Sequence, residues 1–126
     1  MPMTRVALKQ GKSADYKRAL LDNIYLAMRE TFKCPEDDQF MVITEHDDST
    51  FCYNPSYLGV ARTDDLVMVQ ITCNFGRTVE MKKALYQRMA ELLEQTIGLR
   101  RDDLLISVVE VAKENWSLGN GEAQYA

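Results

Sequence analysis

Pro2 is the first residue in this chain with a chemistry of its own. If Met1 is removed, Pro2 exposes a secondary amine on a rigid ring. An α-amino group titrates near about 8, so such an amine can act as acid or base, or attack a carbonyl. With Met1 in place, the same nitrogen is an amide without basicity, and a proline here does no more than open a strand. Arg77 comes second. It stands in Gly76-Arg77-Thr78, just ahead of an amphipathic run, where a helix N-terminus disfavours a cation. A bound carboxylate, attracted by both the helix start and the guanidinium, would explain it; so would a solvated side chain at an exposed turn. Lys12, in the matching Gly11-Lys12-Ser13, reads as solvated. Neither triplet ends a P-loop, because Val6 and Ile71 stand where that motif needs its first glycine. Asp38 is an acid or base if buried beside a pocket, but its repetition in Asp102-Asp103 favours a turn. His46 has no cysteine or second histidine at ligand spacing and reads as a strand-edge residue. Cys34, Cys52 and Cys73 lack CxxC spacing and read as free thiols in a reducing compartment.

The elements that position these residues come twice. Leu66 to Cys73 is a β-rich run. Val79 to Ile97 carries Met81, Leu85, Met89, Leu92, Leu93 and Ile97 at helical spacing, with Gly98 just past its end. Leu104 to Val111 is a second β-rich run. Shifting back by 65 positions (76 − 11) returns the same plan without a gap. Lys17, Ala19 and Leu20 match Lys82, Ala84 and Leu85; Asp37-Asp38 matches Asp102-Asp103, and Glu45 matches Glu110. The apolar face Tyr16, Leu20, Ile24, Ala27, Met28 and Phe32 has an apolar twin at every position. The chain therefore predicts two βαβ units. The first is a strand from Met3, a helix over 14–33 capped by Ser13 and stopped by Pro35, and a strand from Phe40 to Glu45.

Residues 46–65 join the two units and have no counterpart in the repeat. They carry turn signals at Asp47-Asp48-Ser49 and Asn54-Pro55-Ser56, and Phe51-Cys52-Tyr53 reads as a short strand. The tail, residues 112–126, holds Trp116, Leu118 and Tyr125 and is too apolar to stay unpacked. Length and composition fit one domain over residues 1–126. A net charge of −4 without a basic block argues against nucleic acid. No apolar run reaches the length of a membrane span and no signal peptide is evident, so the cytoplasm is the expected compartment.

Two βαβ units predict an α+β two-layer fold, a four-stranded sheet with both helices on one face. The other face would be bare. Val67, Val69, Val108 and Met41 are assigned to it, and its apolarity predicts association of chains in closed symmetry.

Taken together, these residues resemble the tautomerase superfamily, and within it the malonate semialdehyde decarboxylase branch. The resemblance covers nearly the whole chain. It is carried by Pro2 after Met1, Gly11-Lys12-Ser13, the Pro35-x-x-Asp38 turn, Gly59-Val60-Ala61-Arg62, Gly76-Arg77-Thr78 and Trp116-Ser117-Leu118-Gly119-Asn120-Gly121. It implies a mixed sheet of tandem βαβ units, a homotrimer and an enzyme without a cofactor or metal, acting on a small oxo acid. Pro2 would be the catalytic amine, Arg77 the carboxylate anchor and Asp38 the catalytic aspartate. Trp116, Leu118 and Tyr125 would form the apolar wall, with Leu118 where the decarboxylase carries an aromatic. Asn74 and Phe75 stand near the place of that enzyme's second arginine, and Asn74 is assigned to substrate binding. One arginine holds a carboxylate but twists it less readily out of the carbonyl plane. Keto–enol tautomerisation is therefore expected ahead of decarboxylation of a 3-oxo acid. A non-catalytic trimer that keeps only the fold is the alternative.

Overall fold

In the computed structural model, which describes residues 1–126, the two repeats become one sheet. Strands β1 (Met3–Lys9), β2 (Met41–His46), β3 (Val67–Asn74) and β4 (Leu104–Val111) lie in the order β2-β1-β3-β4. Each repeat pairs its own strands in parallel, β1 with β2 and β3 with β4; β1 and β3 join the repeats antiparallel. Helices α1 (Ala14–Phe32) and α2 (Val79–Ile97) pack on each other and on one sheet face. The domain is thus the predicted two-layer α+β fold with a mixed sheet. No helix is long and apolar enough to cross a membrane.

The helix ends follow their sequence signals. Ser13 and Thr78 accept hydrogen bonds from the Tyr16 and Met81 amides, both at 3.1 Å, each satisfying a donor that a helix start leaves free. Gly98 takes φ +67° to close α2, which turns Leu99 back into the core. Lys33 does the same for α1 at φ +57°, two residues before Pro35. The matched lysines and glutamates of the repeat are partners in both copies. Lys17 Nζ lies 2.9 Å from Glu45, and Lys82 bonds Glu110.

The core lies between helices and sheet. Leu20, Ile24 and Met28 of α1 and Leu85, Met89 and Leu93 of α2 meet Val6, Leu8, Val67, Val69, Ile71 and Cys73. Each fully buried aliphatic side chain contributes about 1.5–3 kcal/mol. This corrects the assignment of faces. Val67 and Val69 are fully buried under the helices, and Met41 and Val108 pack against the same core. Alternation tells which residues share a face but not which face the helices cover. The open face carries the intervening residues, among them Met3, Arg5, Val42, Met68, Gln70, Leu105 and Val109, a mixture of apolar and polar groups.

The connecting segment 46–65 forms no strand at Phe51-Cys52-Tyr53. Phe51 is buried by packing on the His46 and Tyr53 rings, with centroids 5.8 and 6.1 Å away, rather than by pairing with a strand. His46 ends β2 and hydrogen-bonds Thr44 and Thr50, as a strand-edge residue would. The segment is anchored at its end by Asp103. That carboxylate is fully buried and accepts hydrogen bonds from the Thr63 amide (2.6 Å) and the Thr63 hydroxyl (2.7 Å), with Arg100 at 3.7 Å. Removing it strands both donors. Asp103→Ala should lower stability by about 2–4 kcal/mol, read as a reduced urea midpoint with an unchanged m-value. An unchanged midpoint would show that this anchor carries no weight.

Candidate active site

The antiparallel register of β1 and β3 sets the start of the chain beside the end of β3. Met3 faces Thr72. Carried two residues further, the same register brings Pro2 to Cys73 and Met1 to Asn74. Asn74 is the last residue of β3, and the Gly76-Arg77-Thr78 turn follows it. Strand pairing thus delivers the amino terminus to the loop that carries the arginine.

A hollow of about 470 Å³ opens at this corner. Met1, Met3, Asp38 and Phe40 line one side, and Trp116, Leu118 and Tyr125 from the tail line the other. Pro2, the next residue, is buried. The Met1 amine lies 3.4 Å from Oδ2 of Asp38, whose side chain is only 15% exposed. The tail is folded onto the site rather than free. Trp116 Nε1 donates to Asn74 Oδ1 at 2.7 Å. The Leu118 amide donates to Gln124 Oε1, and Gln124 Nε2 donates to the Gly119 carbonyl, which pins the tail loop.

Arg77 stands behind this wall. Its Nη1 donates to the Asn74 carbonyl at 3.0 Å, and its guanidinium lies over the Phe32 ring, 5.2 Å from the centroid. Phe32 is the last residue of α1, so this cation stands beside a helix C-terminus, where the macrodipole favours it. That resolves the oddity of a cation at the start of α2. Arg77 is not itself a wall of the hollow; Asn74 joins it to Trp116. Burial pushes the thiols of Cys34 and Cys73 up, and the Arg77 guanidinium pulls both part of the way down.

The structure brings Asp38, Trp116, Leu118 and Tyr125 to one hollow with Met1; Pro2, buried next in sequence to Met1, is not itself a wall of it, and Asn74 and Arg77 adjoin it. Asn74 has its side-chain oxygen occupied by Trp116, so it supports the wall as built. Arg62 and Arg5 lie away from this corner. Arg62 donates to the carbonyls of Asn54, Tyr57 and Val60 inside the connecting segment. Arg5 is on the open sheet face. Met3 and Phe40 were not anticipated, although their places beside Pro2 and Asp38 in sequence could have suggested them.

The corresponding corner of the duplicated unit keeps a smaller hollow, about 220 Å³, lined by Leu66, Met68 and Leu105, the twins of Met1, Met3 and Phe40, but its acid and its cation are engaged elsewhere. Asp103, the twin of Asp38, is capped by Thr63. Lys12, the twin of Arg77, is at an exposed turn as expected and is paired there with Asp65 at 2.7 Å. Val67, the twin of Pro2, lies inside the chain, fully buried. The two Asp-Asp turns thus share letters but not environments.

Comparison with known proteins gives the family and the fold. Two family models, both described as tautomerase enzyme, match residues 38–119 and residues 2–61. A probable tautomerase of Bacillus subtilis, YusQ, is 40% identical, the match covering 98% of each chain. A second from the same organism, YrdN, is 34% identical over 99% of this chain and 96% of its own. Among solved structures, the FG41 malonate semialdehyde decarboxylase inhibited by 3-bromopropiolate superposes with a TM-score of 0.90 at 32% identity, covering 98% of this chain and 93% of that one. Another malonate semialdehyde decarboxylase, solved in wild-type, mutant and inactivated forms to explain its decarboxylase and hydratase activities, gives 0.91 at 25% identity over 98% and 95%. A fused 4-OT symmetric trimer shares the fold, with a TM-score of 0.78 at 22% identity over 98% of this chain and 97% of its own.

Proposed function

Because this chain belongs to the tautomerase family, we propose that it moves a proton between carbon and oxygen of a small oxo acid, with Pro2 as the acid–base group once Met1 is gone. The observation that carries this reading is the convergence at one corner. The chain start, a sheltered carboxylate and an apolar wall share one hollow, and a guanidinium adjoins it. Arg77 would hold the substrate carboxylate through charge-assisted hydrogen bonds. The protonated Pro2 amine would deliver its proton to the enol carbon while Asp38 takes the hydroxyl proton, leaving the ketone. No electrons are gained or lost. The amine and carboxylate then return to their starting states by exchanging that proton. Trp116, Leu118 and Tyr125 would exclude water and so strengthen these charges.

Decarboxylation of a 3-oxo acid is the second reading, supported by the likeness to malonate semialdehyde decarboxylases. The loop holds one arginine, with Asn74 and Phe75 ahead of it, which favours proton transfer without loss of carbon dioxide. Chains are proposed to associate through the open sheet face, where Val42, Leu105 and Val109 remain exposed, as a trimer like that of fused 4-OT.

The test pairs the mass of the amino terminus with two assays. The expected result is a chain beginning at Pro2 that converts the enol of phenylpyruvate faster than it releases carbon dioxide from malonate semialdehyde. Faster carbon dioxide release would favour the second reading. Retained Met1 with neither activity would leave a non-catalytic member of the family.

A further inference from the structure

Tyr25 belongs to the buried face of α1, between Ile24 and Ala27, and is 6% exposed. Its ring packs as the neighbouring aliphatics do, but its hydroxyl does something they cannot. It donates to the Pro35 carbonyl and accepts from the Asp38 amide at 2.9 Å. One oxygen thus closes both ends of the turn that follows α1. The Asp38 carboxylate has no comparable anchor. Its one close charged partner is the amino terminus, at 3.4 Å. Where the carboxylate stands is therefore set by its backbone, and the backbone is held by Tyr25.

The second repeat supplies an internal control. At the offset of 65, Ala90 stands where Tyr25 does (25 + 65 = 90), while Ile24 and Met28 keep the apolar partners Met89 and Leu93. There, Asp103 is held by its own side chain through Thr63 instead. The hydroxyl occurs only in the copy whose aspartate faces the hollow and is otherwise unanchored.

We infer that Tyr25 is a positioning residue for Asp38, clamping the Pro35–Asp38 turn so that the carboxylate meets the reacting amine and substrate. This rests on the proposed role of Asp38. A displacement of about 1 Å at a reacting group costs on the order of 10²-fold in rate, so loss of the clamp should be felt in kcat rather than in KM.

The experiment is a double-mutant cycle on enol conversion with the phenylpyruvate enol. Tyr25→Phe should lower kcat by about 10- to 100-fold with KM within about twofold. On an Asp38→Asn background, the same change should cost less than about threefold, because the group it positions is already disabled. Equal losses on both backgrounds, or parental turnover by Tyr25→Phe, would overturn the inference. If Asp38→Asn lowers turnover and Tyr25→Phe does not, this inference falls and the proposed function stands. If Asp38→Asn keeps parental turnover, the role given to Asp38 falls with it. Amide hydrogen exchange on the unaltered protein is independent of any variant's folding. The Asp38 amide should be strongly protected, and exchange at the rate of an open loop would sink the clamp.

Discussion

A chain carrying one extra residue ahead of Pro2 is expected to be inactive in enol conversion, and Pro2→Ala to lose roughly 10²–10³-fold in kcat/KM, the range for loss of a positioned acid–base group. The reasoning is chemical. Acylated by another residue, the proline nitrogen gives its lone pair to the amide and neither takes nor delivers a proton. Alanine restores an amine, but a primary one on a freer backbone, no longer fixed by the ring. Pro2 is buried but lies outside the core cluster between helices and sheet. Unfolding free energies from urea titration should therefore fall by no more than about 1 kcal/mol, too little to unfold the chain. Full activity in the extended chain would remove Pro2 from the chemistry, and the proposed mechanism with it.

Arg77→Ala is expected to reduce kcat/KM by roughly 10²–10⁴-fold, corresponding to two charge-assisted hydrogen bonds to a carboxylate at about 1.5–3 kcal/mol each. Most of the loss should fall on KM, because the anchor grips ground state and transition state alike. Arg77→Lys should recover only part, since an ammonium gives a point charge in place of a planar fork. An enol lacking the carboxylate should be handled equally poorly by parent and variant, which separates anchoring from a general effect on the site. The guanidinium also covers Phe32, so a stability loss of about 0.5–1 kcal/mol should accompany the substitution. If carboxylate-bearing and carboxylate-free enols lose equally, Arg77 is structural.

Much of this fold was legible because the repeat states each element twice. A helix face matched at every apolar position, two capped starts and a glycine stop leave little freedom in where the elements lie. What was not legible depended on partners distant in sequence. Val67 and Val69 alternate correctly, but only packing decides which side of β3 the helices cover. Phe51-Cys52-Tyr53 has strand-forming residues and no strand to pair with. Asp38 and Asp103 look alike until Thr63, distant from Asp103 in the chain, caps one of them. Resemblance alone raised Asp38 from a turn residue to a site residue; its sheltered place 3.4 Å from the Met1 amine was not readable from the sequence. Tyr25 left no signal beyond a phenol on an apolar helix face, because its role lies in the two backbone groups its oxygen reaches.

The pairing of the acid and the cation at the equivalent corner has a consequence for how this protein can vary. Thr63 and Asp65 have taken up the acid and the cation that duplication supplied there. A substitution at Asp103 should therefore register as a change in melting temperature, one at Lys12 only weakly because its ion pair is exposed, and those at Asp38 or Arg77 would register as a change in turnover. Each corner draws its acid from one repeat and its cation from the other, so the division of labour runs between the two ends of the sheet and not between the two halves of the chain.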